Sequence, residues 1–229
     1  MTVDAAAIKD GLARVRERIE RAARAASRDP DEIRLVAVSK TKPAEAVRVA
    51  YAEGQRDFGE NYAQELLEKA ELLVDLPDLR WHFIGHLQSN KAKYVARVAH
   101  VVQTIDSPSL ARELAKRVAH TNRGPLEVLV EVNVGGEAQK HGAAPGEVAD
   151  VIAAIVAEPL LKLRGLMTMP PHDLESARRA FEALSSLRNA HGGAARLPEL
   201  SMGMSDDLEV AIACGATIVR VGTAVFGAR

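Results

Sequence analysis

A lysine that closes a short apolar run is the residue in this chain best placed to do chemistry. The run is Arg34-Leu-Val-Ala-Val-Ser-Lys40, apolar and partly β-branched up to its last two positions. As a strand inside a sheet it delivers Lys40 to the sheet's rim, with the stem desolvated and the amine facing a cleft. Burial disfavours the ammonium form, which lowers the pKa and makes the amine a nucleophile able to form a Schiff base with an aldehyde. Taken alone, the same run also reads as a strand followed by an ordinary solvated lysine.

Two later stretches have the composition of an anion site. Ser201-Met-Gly-Met-Ser205-Asp-Asp and Arg220-Val-Gly-Thr223-Ala-Val-Phe-Gly227 combine glycines, hydroxyls and an arginine. Glycine lets the backbone approach a phosphate, and hydroxyls add donors. A helix starting near Ser205 would aim free amides at the same point. Asp206 and Asp207 suit the first turn of that helix, where negative charge complements the dipole. Separately, each stretch also reads as a capped helix or a tight turn.

These residues need elements to hold them. Residues 5–27 predict an amphipathic helix, with Ile8, Leu12, Val15, Ile19, Ala22 and Ala26 at steps of three and four. Gly11 is tolerated inside it at some cost. Asp29-Pro30-Asp31 ends the helix and the Lys40 strand follows. Pro43 then opens a helix over 44–53, with Gly54 as its cap. Extended stretches at 56–59, 81–85, 101–105, 126–134, 161–167, 199–202 and 216–221 alternate with helices near 60–75, 88–99, 107–121, 145–157, 173–190 and 205–213.

Counting the Lys40 strand, eight βα units recur at roughly the period of one such unit, and several strands are continuously apolar. The pattern predicts a single (β/α)8 TIM barrel with an extra N-terminal helix, occupying 1–229 as one domain. A doubly wound open sheet is the alternative. A barrel places its site at the C-terminal strand ends. Those positions are Ser39-Lys40, Gly59-Glu60-Asn61, Gly85-His86, Asp106, Asn133, Met167, Ser201 to Ser205 and Arg220 to Thr223, a polar set around one rim.

Composition narrows the function classes. A net charge of −1 provides no field to attract nucleic acid or an anionic membrane. The single Cys214 excludes an internal disulfide and fits a reducing compartment. No apolar run is long enough to span a bilayer, and the N-terminus lacks the apolar segment of a signal peptide. The expectation is a soluble cytoplasmic protein with no membrane or nucleic-acid partner.

Longer motifs carry a family resemblance. Ala-Val-Ser-Lys-Thr-Lys (37–42), Phe-Gly-Glu-Asn-Tyr (58–62), Trp-His-Phe-Ile-Gly-His-Leu-Gln-Ser-Asn-Lys (81–91), Ile-Asp-Ser (105–107) and Leu-Arg-Gly-Leu-Met (163–167) occur in that order. Leu-Ser-Met-Gly-Met-Ser-Asp-Asp (200–207) and Val-Arg-Val-Gly-Thr-Ala-Val-Phe-Gly (219–227) complete the series. Together they resemble the pyridoxal phosphate homeostasis proteins, whose barrel is similar to the barrel domain of alanine racemases. The resemblance implies pyridoxal 5'-phosphate as cofactor, carried as a Schiff base on Lys40. It also implies Ser201, Gly203, Ser205, Gly222 and Thr223 as phosphate ligands, Arg220 as partner of the pyridine nitrogen, and Asn61 and His82 near the ring. Gln139 departs from the family, which often has Ser or Thr there. This touches only the fine behaviour of the 136–142 loop.

Two functions compete on this reading, a carrier of the cofactor and a pyridoxal-phosphate-dependent amino-acid racemase or related enzyme. A racemase needs acid/base groups on both faces of the bound substrate. The similar racemases take one from a tyrosine of an added β-domain, and this sequence stops at Arg229. Of Tyr51, Tyr62 and Tyr94, only Tyr62 lies near a strand end. An arginine at the pyridine nitrogen also makes the ring a poorer electron sink, although the racemases share it. The carrier is the preferred reading, with no catalytic residue and with apo pyridoxal-phosphate enzymes as the partners it implies. The working expectation for oligomeric state is a monomer. A third reading, an aldolase-like barrel with a sugar phosphate on Lys40, conflicts with the family motifs.

Other reactive residue types read as structural. No Cys/His cluster suggests a metal, and the His82–His86 spacing pairs ligands on a helix, whereas here it spans a strand. His100, His120 and His191 read as surface or element-end residues. Cys214 reads as a buried inert thiol and Trp81 as packing. The methionines at 167–169 and 202–204 are either core filler or contacts for a flat ring.

Overall fold

In the computed structural model, which describes residues 3–136, 141–171 and 173–227, the alternating pattern closes on itself. Helix α1 (Ala5–Ala25) leads into β1 (Arg34–Val38), α2 (Ala44–Ala52), β2 (Asp57–Glu60), α3 (Ala63–Leu72) and β3 (Arg80–Phe83). There follow α4 (Ala92–Val98), β4 (Val101–Ile105), α5 (Pro108–Val118), β5 (Leu126–Glu131), α6 (Val148–Val156) and β6 (Leu161–Met167). The last elements are α7 (Leu174–Ala190), α8 (Gly193–Arg196), β7 (Glu199–Ser201), α9 (Leu208–Ala213), β8 (Ile218–Val221) and α10 (Thr223–Phe226). Each strand pairs in parallel with the next, and β8 returns to β1 with Arg34 opposite Ile218 and Val36 opposite Arg220. That closure is the expected (β/α)8 barrel, and it rules out the open sheet.

Period-two alternation sorts the strand residues. Leu35, Ala37, Phe58, Trp81 and Phe83 join the large core shared with the helices, while Val101, Leu129 and Met167 form a separate buried cluster on the inner faces of β4 to β6. Trp81 packs against Phe58 with ring centroids 6.0 Å apart, as expected of a packing residue.

The N-terminal helix has a definite task. Its Asp4 carboxylate accepts from the Ala7 amide at 3.0 Å, and Ile8, Leu12, Val15, Ile19 and Ala23 are buried. A Cβ at Gly11 would lie 2.7 Å from the Val225 carbonyl, so only glycine lets α1 lie directly on α10. The helical cost of this residue therefore secures the turn after β8. The helix stops at Ala25, short of the expected end, because Ser27 is left-handed at φ 56°.

Several boundaries differ from the sequence reading. Strand β2 continues to Glu60, whereas β3 and β5 end at Phe83 and Glu131. The helix expected near Ser205 begins only at Leu208. Gly203 is left-handed at φ 95°, and the Asp207 carboxylate accepts from the Met204 amide at 2.5 Å, which folds 203–207 into a turn. Asp206 and Asp207 thus precede the helix. Cys214 caps α9 and is partly exposed, not fully buried, and desolvation pushes its thiol pKa up. His100 stands at an element end but is half-buried, its Nδ1 accepting from the Trp81 amide at 3.0 Å.

At the N-terminal strand ends, six inner side chains alternate in sign around the axis. Arg34–Asp57, Asp57–Arg80 and Arg80–Glu127 approach to 4.0, 3.6 and 2.9 Å. Glu127–Arg164, Arg164–Glu199 and Glu199–Arg34 close the ring at 3.5, 3.4 and 3.1 Å. Among the described residues, no helix is long and apolar enough to cross a membrane.

Candidate cofactor site

The turn carrying Lys40 is fixed from beneath by buried charge. The Ser39 hydroxyl donates to Glu60 Oε1 at 2.7 Å, and the Thr41 amide donates to Glu65 Oε1 at 2.6 Å. Lys69, reaching in from α3, donates to the Ser39 carbonyl at 2.6 Å and to Glu60 and Glu65 at 2.6 and 2.8 Å. Both residues flanking Lys40 are therefore tied to one Glu–Lys–Glu cluster. The tie holds Thr41 in the left-handed region at φ 63°, which a β-branched residue rarely adopts. Burial raises the Glu60 pKa, and the charge of Lys69 offsets part of that rise. Of these three supports Glu60 is placed by its strand end, while Glu65 and Lys69 do not stand out in the sequence. The Glu65–Lys69 spacing of four was the available signal, and it also describes an exposed helical pair.

Along β1, alternation turns Val36 and Val38 toward the axis, where a Cβ built at Gly59 would meet both. Lys40 follows two residues beyond the end of β1, in the turn at the mouth. Arg220 lies in register with Val36 on the neighbouring strand and is 2% exposed. Its guanidinium donates to Ser201 Oγ at 2.7 Å, to the Thr168 carbonyl at 2.9 Å and to Met169 Sδ at 3.2 Å. All three partners are neutral. Desolvation lowers the Arg220 pKa to about 10, with Glu131 and Asp207 opposing that shift from further away.

Glu131, at the end of β5, is the corresponding buried acid. It is 6% exposed, and among the described residues its Oε2 has no hydrogen-bond partner. Burial, aided by the charge of Asp106, raises its pKa to about 7 while Arg220 pulls the other way. Asn61 Oδ1 is likewise buried without a hydrogen-bond partner among the described residues. Each is a buried oxygen that a polar partner at the mouth could satisfy.

The loops after β7 and β8 lie beside the strand that ends in Lys40. A Cβ at Gly203 would lie 2.6 Å from that of Ala211, and one at Gly222 would lie 3.1 Å from the Val38 carbonyl. Ser205 is partly exposed beside Gly203, and Thr223 is exposed at the start of α10. The Ser205 carbonyl is held by Arg18 of α1 at 2.9 Å. This end can accept a phosphate through backbone amides and two hydroxyls.

Two expected site residues are fully buried and already engaged by other side chains. Ser201 is fully buried and its hydroxyl is engaged, donating to Gln103 Oε1 at 2.6 Å and accepting from Arg220. His82 is also fully buried, between Asp57 at 2.7 Å and Gln103 at 2.9 Å. It stands below Arg220 in the barrel, with Gln103 and Ser201 between them. His86 parts from His82 altogether, stacking on His141 with centroids 3.7 Å apart and lying 3.8 Å from Asp106. Met167 is core in the barrel interior, and Met169 serves the arginine. Gln139 lies outside the described residues.

Comparison with known proteins shows the family. Residues 11–229 match the alanine racemase N-terminal domain family. The pyridoxal phosphate homeostasis protein of Pseudomonas aeruginosa is 49% identical, covering 97% of this chain and 96% of its own. The chain belongs to the pyridoxal phosphate homeostasis family. Among solved structures, PipY of Synechococcus elongatus, in a form described with PLP bound, is 36% identical with a TM-score of 0.81, covering 96% of this chain and all of its own. Alanine racemase of Corynebacterium glutamicum, at 20% identity and a TM-score of 0.69, shares the fold, and this chain spans 63% of it.

The family's cofactor fits the residues present. A small anionic, aromatic aldehyde needs an amine, a phosphate cradle and a donor to the ring nitrogen. Lys40, the Gly203/Gly222 turns and Arg220 would supply these from the adjacent strands β1, β7 and β8.

Proposed function

We propose that this protein binds pyridoxal 5'-phosphate covalently through Lys40 and stores, buffers or delivers it inside the cell, without turning over a substrate of its own. The observation that carries this reading is Arg220, a fully desolvated guanidinium whose direct partners are all neutral, on the strand beside the one that ends in Lys40. A buried cation with only neutral contacts awaits an electron-rich partner. When bound, the cofactor supplies an aldehyde to the Lys40 amine, a phosphate to the loops after β7 and β8 and a ring nitrogen that accepts a hydrogen bond.

The chain's own residues divide the remaining work. Gly203, Ser205, Gly222 and Thr223 bind the phosphate. Arg220 donates to the ring nitrogen, and because its pKa stays near 10 it holds its proton at neutral pH. Asn61 borders the ring. The Lys69 cluster orients Lys40 and keeps its turn from moving. Support for the absence of turnover comes from the rim, since Tyr62, the one tyrosine near a strand end, is 55% exposed. A two-sided acid/base pair of the racemase type would need a more enclosed donor. Delivery implies apo forms of pyridoxal-phosphate enzymes as partners, and a monomer suffices for the site described.

The test is a visible spectrum followed by borohydride reduction and peptide mapping. The expected result is a yellow protein with a pyridoxyl group on Lys40, both lost in Lys40→Ala, and recovery of activity when an apo pyridoxal-phosphate enzyme is added. A protein that the cofactor cannot colour, or sustained racemisation of an amino acid, would overturn the reading.

A further inference from the structure

A file of hydrogen bonds runs through the barrel from the charged ring at its base to Arg220 at its mouth. Its links are Arg220 to Ser201 Oγ (2.7 Å), Ser201 to Gln103 Oε1 (2.6 Å), Gln103 Nε2 to His82 Nδ1 (2.9 Å) and His82 Nε2 to Asp57 (2.7 Å). Ser201, Gln103 and His82 are each fully buried, and they come from strands β7, β4 and β3. Nothing in the overall fold requires polar residues here. The neighbouring inner positions Val36, Val38, Val101, Leu129 and Met167 are apolar.

The chemistry of the two ends fixes every proton between them. A guanidinium can only donate, so Ser201 accepts from Arg220 and must give its own hydrogen elsewhere. Gln103 Oε1 takes it, which turns the amide nitrogen of Gln103 toward His82. That nitrogen can only donate, so Nδ1 of His82 carries a lone pair. The remaining ring proton then lies on Nε2 and goes to Asp57, which can only accept when ionised. Asp57 also lies 4.0 and 3.6 Å from the guanidiniums of Arg34 and Arg80, which favour its ionised form. Donation therefore runs one way, from the mouth to the base.

We propose that Gln103, His82 and Asp57 are positioning residues that act through Ser201 to orient the Arg220 guanidinium toward the cofactor ring, with His82 neutral and protonated on Nε2. This rests on the reading of Arg220 as the ring-nitrogen partner. It also assigns the Ser201 hydroxyl to the guanidinium and leaves the phosphate to Ser205, Thr223 and backbone amides. Outer-shell partners of this kind hold a contacting group in one rotamer, and their loss typically weakens a site about tenfold or more.

The test has two independent parts. In the cofactor-free protein, two-bond 1H–15N spectra of histidine-labelled samples should show His82 as the Nε2–H tautomer. In Gln103→Glu an acceptor replaces the donor facing Nδ1, so the same signals should become those of a doubly protonated ring. A wild-type Nδ1–H tautomer or imidazolium would overturn the proton assignment, whatever the cofactor does. In the loaded protein, Gln103→Met should shift the visible absorption maximum and speed cofactor release about tenfold, with Gln103→Glu restoring neither. Wild-type spectrum and release in Gln103→Met would overturn the positioning role. A wild-type protein that forms no Lys40 adduct would instead defeat the underlying reading and leave the tautomer result standing.

Discussion

The two ends of this barrel treat charge in opposite ways. At the base, three arginines and three acids form a closed alternating ring, each within 4.0 Å of two opposite charges. At the mouth, the hydrogen bonds of Arg220 go to neutral acceptors, and Glu131, the buried acid whose charge acts on it most, has an oxygen with no hydrogen-bond partner among the described residues. Every charge of the base is paired across the ring, although Arg80 Nε, Arg164 Nε and Glu199 Oε2 have no hydrogen-bond partner among the described residues. The mouth is organised for something else to complete it. In a (β/α)8 barrel the fold determines which end can be adapted for function, because the connecting loops at the C-terminal strand ends are free to vary. Here the difference is visible in the pairing of charges alone.

The largest test of the contrast is to remove the charge that supports the mouth. Lys69→Met leaves Glu60 fully buried without its counter-ion, and stranding one member of a buried pair costs about 3–5 kcal/mol. The Glu60 pKa is already raised by burial, and without Lys69 it rises further, so the loss should grow with increasing pH. Urea unfolding at two pH values measures this. Adding Glu60→Gln to Lys69→Met should recover much of the stability. Equal unfolding midpoints for wild type and Lys69→Met would show that the cluster does not hold the Lys40 turn.

The second test exploits the unfinished charge itself. The Glu131 pKa is raised from an ordinary 4.5 to about 7, so the folded state binds an extra proton between those values and loses stability as the pH rises through them. The full penalty, on the order of 3 kcal/mol, is present above the folded pKa and absent below the unfolded one. Glu131→Gln should therefore melt close to wild type in acid and above it at alkaline pH, in the cofactor-free protein. A uniform shift at all pH values would place the effect in packing instead of charge.

How much of this was legible depended on whether a residue's role follows from its own strand. Lys40, Arg220 and the 203–205 and 222–223 turns were readable because each sits at the C-terminal end of a recognisable strand, and closure of eight βα units brings those ends together. Lys69 was not readable, because it reaches the Ser39 carbonyl only after α3 packs back over β2. The basal ring was equally hidden. Arg34, Asp57, Arg80 and Glu199 each open a short strand, where a charged residue usually marks the solvent boundary. His82 was placed beside the ring by its motif, yet alternation along β3 was sufficient to turn it inward between Asp57 and Gln103. The turn at 203–207 misled the helix assignment because an aspartate can fold the backbone before a helix as well as inside its first turn.

The smallest effect should come from the base, and it should have the opposite sign. His100 lies between Trp81 and the entry to β4, its Nδ1 accepting from the Trp81 amide while its own amide donates to the Trp81 carbonyl at 2.8 Å. Desolvation, with the charges of Arg123 and Arg80, lowers its pKa from 6.5 to about 4. The unfolded chain therefore takes up a proton that the folded one refuses between those values. Stability is intact above the unfolded pKa and declines as the pH falls toward the folded one, the reverse of Glu131. Because the ring is partly exposed, solvent reduces the effect to about 1 kcal/mol. His100→Asn keeps an acceptor for the Trp81 amide and removes the titration, so its stability should fall less than that of wild type on acidification. Melting curves of His100→Asn and Glu131→Gln across the same pH series would then diverge from wild type at opposite ends. If both diverged at the same end, the charge asymmetry between base and mouth would not govern stability.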